Sequence, residues 1–189
     1  EGYTYKTVVI GTQEWFAENL RTTKYQDGTP INYPGVDTAL WVNDINGAFA
    51  WYNNDSLTNS SIYGALYNWH AVDNVSGLCP LGWHVPTHAE WTLLQDYLEA
   101  NGFNFDGTTS GNKIAKAMAD TVLWNSDTNL GTVGNTDYPL YRNKSGFSGI
   151  PGGYRGNTSG FASLGFRSYW WSSTPFNSLN AYPRYLINS

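Results

Sequence analysis

The segment that most constrains the fold runs from Pro86 to Gly102. Thr87-His88-Ala89-Glu90 is a capping box: a Thr87 hydroxyl at the N-cap and a Glu90 carboxylate three residues on can each satisfy a backbone N–H of the first turn. Trp91, Leu94 and Leu98 follow at i, i+3 and i+7, and Leu93 and Tyr97 widen that face. Asn101-Gly102 supplies the stop. This is a helix with one buried side, so a sheet or a second helix must cover it. A shorter helix is expected from Lys113 to Asp120, with Ile114 and Met118 one turn apart.

The rest of the chain lacks such a period. Residues 3–10 read as a strand, Gly11-Thr12 as a turn and Gln13-Glu14-Trp15-Phe16 as the returning strand. Asp27-Gly28-Thr29-Pro30 is a turn signal. Residues 32–62 show neither a period of 2 nor one of 3.6 and are assigned to loops and short turns. Residues 63–72 are apolar enough for a core strand or a short helix, and the sequence leaves both open. Residues 169–174 read as a strand with aromatic side chains on both faces, and residues 181–186 as the last strand. With no strand–helix–strand alternation, the class is α+β.

Composition narrows the function classes. A chain of 189 residues suits one domain. Only 13% of residues are charged, whereas 9 Trp, 14 Tyr and 8 Phe promise an ordered core. The net charge is -5, and the 10 basic residues are scattered singly, which argues against nucleic acid and anionic membrane partners. No apolar run approaches the roughly 18 residues of a membrane span. A surface filled by Asn, Ser, Thr and Gly instead of charge fits an exported protein that is part of a larger exported chain. Its expected location is extracellular or on the outer cell surface.

No catalytic constellation is legible. His70, His84 and His88 are not at metal-motif spacing, since Pro86 separates the last two from a shared helical face. Cys79 is the single cysteine and lacks a nucleophile signature. Gly146 to Gly153 is not a phosphate loop, because the Gly-Lys-Ser/Thr ending is missing. Glu14, Glu18 and Glu90 are the glutamates open to acid–base work, and Glu90 is committed to a cap. No enzyme activity is expected.

Two binding chemistries remain. Oxygen-rich loops suit calcium, with Asp44, Asn46 and Asp55 as the candidate ligands and a second Asx-rich stretch at Asp127, Asn129, Asn135 and Asp137. Flat apolar rings beside amides suit a neutral polyhydroxyl ligand, with Trp41, Trp51, Tyr52 and the Trp170-Trp171 pair as candidates for the platform. Trp170 and Trp171 fall on opposite faces of their strand, so at least one belongs to the core.

Blocks of rare residues then occur in a familiar order. They are Ile10 to Tyr25, Tyr63-Gly64-Ala65-Leu66-Tyr67-Asn68-Trp69, Cys79-Pro80-Leu81-Gly82-Trp83-His84-Val85-Pro86-Thr87-His88-Ala89-Glu90-Trp91, Gly146-Phe147-Ser148, Pro151-Gly152-Gly153-Tyr154-Arg155 and Tyr169-Trp170-Trp171-Ser172-Ser173-Thr174. In these the chain resembles the Fibrobacter succinogenes major paralogous domain of bacterial secreted and surface-attached proteins. The resemblance implies a C-type-lectin-like fold, with two helices packed on short, mostly antiparallel strands joined by long irregular loops. It implies one lectin-like domain over residues 1–189, whose first helix spans Trp83 to Leu98 and whose residues 3–10 pair in the main sheet. Family members continue past the segment matching Arg184-Tyr185-Leu186, so the resemblance also implies a closing strand, and a partner for Cys79, outside this chain. The related formylglycine-generating enzymes need a reactive cysteine pair, and the lone Cys79 speaks against that activity. The expected function is a secreted or cell-surface recognition and adhesion module for a glycan or surface protein. The alternative is a structural spacer without a small-molecule ligand.

Overall fold

The computed structural model describes residues 2–158, 160–177 and 180–188. Strands β1 (Thr7–Ile10) and β2 (Gln13–Phe16) pair antiparallel, with Thr7 opposite Phe16 and Ile10 opposite Gln13. Gly11 turns the hairpin at φ 63°, and a Cβ there would lie 2.9 Å from the Tyr97 ring, so glycine is required on both counts. The first strand is shorter than expected and pairs with β2 alone, outside the main sheet. Side chains hold residues 3–6 instead: the Tyr5 ring stacks on Phe16, the Tyr3 hydroxyl donates to Glu18, and Glu18 accepts the Lys6 N–H.

The stretch expected to be loops contains helices α1 (Thr38–Asn43) and α2 (Ser56–Tyr63), separated by β3 (Phe49–Ala50). Each helix starts on an acidic cap: Asp37 accepts from the Leu40 N–H and Asp55 from the Thr58 N–H. Neither carries a clean apolar stripe, and Leu57 on α2 is fully exposed, so periodicity did not mark them. Residues 63–72 resolve into both alternatives. Strand β4 (Leu66–Tyr67) pairs with β3, and helix α3 (Trp69–Val72) follows directly, capped by Asn68.

Helix α4 (His88–Ala100) has the expected capping box and buries Trp91, Leu94 and Leu98. Leu93 and Tyr97 are exposed, so the buried face is narrower than the sequence indicates. Residues Trp83 to Thr87, expected to open this helix, precede it without regular secondary structure. Helix α5 (Ala115–Met118) is a single turn, shorter than the expected segment. It carries Lys116, which is only 1% exposed. Its ammonium donates to the Asn135 carbonyl (2.6 Å), the Asp137 carbonyl (3.0 Å) and Asp137 Oδ1 (2.6 Å).

The C-terminal part forms the largest sheet, β5 (Gly152–Arg155), β6 (Phe161–Leu164), β7 (Arg167–Asn177) and β8 (Asn180–Ile187), in the order β6-β5-β7-β8. Pro183 is tolerated because β8 is an edge strand. The β5–β7 contact is parallel and consists of one register pair, Gly153 opposite Ser168. The apolar interior is divided into three clusters among the described residues. One joins the first hairpin to α4, α5 and β8; a second gathers around Trp69, Phe49 and Leu78; the third is Trp41 with Ala48 and Ala50. The fold is thus mixed α+β, with short strands in small sheets. Among the described residues, no helix is long and apolar enough to cross a membrane.

Candidate functional site

Where the three clusters meet, they leave a cleft of about 830 Å³. Strand β2, the turn after it and residues Gly82 to Pro86 contribute one part of its lining, and β5 and β7 another. Half-buried rings dominate the walls: Phe16, Trp83, Tyr154, Tyr169, Trp170 and Trp171. Trp83 packs on Phe16 with centroids 4.2 Å apart, and Tyr154 meets Tyr169 edge-on at 5.4 Å.

The rings are fixed by directed bonds. Trp170 donates to Asn19 Oδ1 (3.1 Å), while the Asn19 amide nitrogen donates to the Tyr63 carbonyl (2.9 Å). Trp171 donates to the Tyr67 carbonyl (2.8 Å), and Trp91 donates to the Trp171 carbonyl (3.3 Å). Trp170 packs with Trp91 and Phe147, whereas Trp171 packs with Trp69. Their side chains therefore serve different clusters, as strand alternation requires. Gly153 at φ 65° lets β5 pass close to its neighbours, since a Cβ there would lie 2.4 Å from the Ala162 carbonyl and 2.9 Å from the Tyr52 ring.

Three residues lining the cleft carry buried polar atoms without a hydrogen-bond partner: Gln13 Oε1, Trp15 Nε1 and Arg155 Nη1. Gln13 is anchored by its other end, where Nε2 donates to the Glu90 carbonyl (3.1 Å). Buried polar atoms are almost always paired, so an unpaired acceptor, donor and cation among the residues of one cleft stand out.

Of the three carboxylates lining the cleft, Glu14 is exposed, whereas Glu18 and Glu90 are engaged. Glu18 accepts from the Tyr3 hydroxyl, the Lys6 N–H and the Arg21 guanidinium. Glu90 accepts from the Thr87 N–H and hydroxyl and meets the His84 ring at 2.9 Å. Burial pushes the Glu90 carboxyl up, but these bonds outweigh it and hold the group below the usual carboxylate range. Cys79 also lines the cleft; burial pushes its thiol up to about 12, so it is a protonated thiol at neutral pH.

The sequence blocks that shape this cleft have a counterpart. Residues 8–189 match the Fibrobacter succinogenes major domain. The chain belongs to that family. Every residue lining the cleft falls within the stretch matched to the Fibrobacter succinogenes major domain. No curated protein and no solved structure matches the chain.

The residues singled out from sequence fall in different places. Trp41 is 4% exposed and lines the cleft from beneath Arg155; Tyr52 is 8% exposed and packs on Phe161; Trp51 is half-buried against Phe49. They do not form an exposed platform, because Trp41 and Tyr52 supply the apolar floor under β5 and β6. Asp44 accepts from the Asn32 amide and the Asn46 N–H, and the Asn46 carbonyl accepts from Tyr25 and Asn74. Asp55 is the α2 cap. These oxygens hold turns and a helix end. In the second Asx-rich stretch, the Lys116 ammonium takes Asp137 and the Asn135 carbonyl. Among the described residues, no three His, Cys, Asp or Glu side chains gather as a metal site. Sequence reasoning missed Trp83, Tyr154, Tyr169 and Arg155 as cleft residues. The one local signal was the Gly152-Gly153 pair, which lets a strand pass close beside its neighbours.

Proposed function

We propose that this domain is a secreted or cell-surface recognition module that binds a glycan in the aromatic cleft, without catalysing a reaction on it. The observation that supports this reading is the cleft itself: half-buried Trp and Tyr rings surround about 830 Å³, with buried polar atoms of Gln13, Trp15 and Arg155 left without partners. Apolar faces of sugar rings stack on such side chains, and their hydroxyls take up fixed donors and acceptors. A non-catalytic role is favoured by Glu18 and Glu90, whose oxygens are engaged in holding the scaffold. The reading goes with a C-type-lectin-like architecture, supported by a two-turn-or-longer helix α4 packed beside the β7–β8 hairpin and by the long connections around it. The burial of Trp41 and Tyr52 favours the alternative of a structural spacer, but a spacer has no use for a cleft of this size.

The test is a glycan array probed with the wild-type domain and with Trp83→Ala. Trp83 covers one wall, and loss of a ring contact of about 1.5 kcal/mol weakens binding roughly tenfold. Wild-type binding that Trp83→Ala weakens supports the proposal. A wild-type domain that retains no glycan at all refutes it.

A further inference from the structure

The least expected group in the cleft is Arg155. It is 9% exposed, and its guanidinium lies over two rings, 4.6 Å from the Trp41 centroid and 5.1 Å from that of Phe161. Its one directed bond is long: Nη2 donates to the Asp37 carbonyl at 3.4 Å. Nη1 is buried with no partner. The nearest acid by sequence of contacts, Asp37, already spends its carboxylate on the Leu40 N–H at the start of α1. Ion pairs among the described residues involve Arg21, His84, Lys113 and Lys116, not Arg155. Burial pulls the Arg155 guanidinium below its ordinary range, with Tyr33 and Asp37 only partly offsetting it.

A buried cation without a counter-ion is costly, and such groups persist in folded proteins when something completes them. Two rings cover the guanidinium through cation–π contact, which holds it flat and leaves its edge as the bonding direction. A planar edge whose buried Nη1 has no partner fits a carboxylate. The acidic side chains of the cleft, Glu14, Glu18 and Glu90, belong to β2, the turn after it and α4, while Arg155 belongs to β5. Charge is therefore distributed unevenly along the lining, which orients an occupant that is acidic at one point and neutral elsewhere.

We propose that Arg155 anchors a carboxylate of the ligand, so that the glycan class recognised is an acidic one carrying uronic acid residues, with the sugar rings stacked on the cleft aromatics. This assignment rests on the reading of the cleft as a glycan site. Uronates join the two chemistries that the cleft offers, a ring face for Trp and Tyr and a planar anion for the guanidinium.

The test compares an oligosaccharide that carries a single uronic acid residue with its carboxyl-reduced counterpart of the same length, by titration calorimetry on the wild-type domain. A charge-assisted bond in a desolvated site makes the acidic oligomer bind about tenfold or more tightly. In Arg155→Gln, checked for folding by circular dichroism and melting temperature, the ratio of the two affinities falls to about one. Equal affinities in the wild type overturn the assignment while leaving glycan recognition standing. A preference that survives in folded Arg155→Gln overturns it as well. Binding of neither oligomer, with an array that is also blank, overturns both readings together. Because the wild-type comparison changes only the ligand, the assignment remains falsifiable even if Arg155→Gln does not fold.

Discussion

Lys116→Met is the sharpest test of how the loop from Asp127 to Asp137 is held. Methionine keeps an unbranched apolar stem, so the substitution removes the ammonium with little change in packing. The ammonium is 1% exposed and has three acceptors at 2.6, 3.0 and 2.6 Å. Removing it leaves two carbonyls and a carboxylate oxygen without their donor. Breaking a buried pair by deleting one partner costs about 3–5 kcal/mol. The Asp137 side chain is 21% exposed, so water recovers part of the loss and the low end, about 3 kcal/mol, applies. For a domain of this size that lowers the melting temperature by about 6–12 °C. Acid supplies a second reading. Burial pushes the Asp137 carboxyl up, but the Lys116 ammonium and the Gly131 N–H outweigh it, so its pKa in the folded state is depressed. A depressed carboxylate stabilises fully above its unfolded pKa of about 3.9 and loses that contribution as pH falls through the folded value. The gap between wild type and Lys116→Met is therefore largest near neutrality and shrinks below about pH 4. Urea unfolding followed by tryptophan fluorescence at pH 7 and pH 3 measures both. A variant within about 0.5 kcal/mol of wild type at pH 7, or a gap that does not narrow in acid, refutes the reasoning.

Three further outcomes are expected. Thr87→Ala removes the hydroxyl that accepts the Glu90 N–H and should cost about 1 kcal/mol, with faster hydrogen exchange confined to the first turn of α4. Cys79, buried and with its thiol pushed up to about 12, should stay unmodified by a disulfide reagent at pH 8 in the folded protein and react at once in urea; fast modification of the native state would contradict its placement. Gly153→Ala forces a Cβ to 2.4 Å from the Ala162 carbonyl at a positive φ, and should destabilise by more than the roughly 1 kcal/mol of an ordinary glycine substitution, read as a loss of melting temperature.

What the sequence disclosed and what it concealed divide along a physical line. Helix α4 was legible because its cap and its stripe lie within 14 residues of each other, from Thr87 to Ala100. The first hairpin was legible because a glycine turn joins two short β-rich runs. Helices α1 and α2 were not, since each is held by one Asp cap and by contacts elsewhere in the chain, without a period of its own. Reading Asp55 as a metal ligand and finding it as a cap is the same fact seen from two sides: an Asx oxygen in a polar stretch serves whichever positive partner the fold brings, and here that partner is a backbone N–H.

The aromatic excess poses a related question, and its answer lies in the division of the core. A chain so poor in charge and so rich in rings would bury most of them if they packed into one body. Here the rings are distributed among three clusters, and the cleft is lined by residues of all three. Trp41 therefore has two roles that sequence reasoning treated as exclusive: it is core by exposure and it lines the cleft through the guanidinium above it. The bond from Arg155 to Asp37 spans 118 residues, so no local pattern announces this arrangement. A ligand that fills the cleft would complete the packing between the clusters as well as the bonding of Arg155. Binding should therefore raise the melting temperature by an amount that grows with the logarithm of ligand concentration above Kd, and a ligand whose shift is unchanged in Trp83→Ala would be binding somewhere other than the cleft.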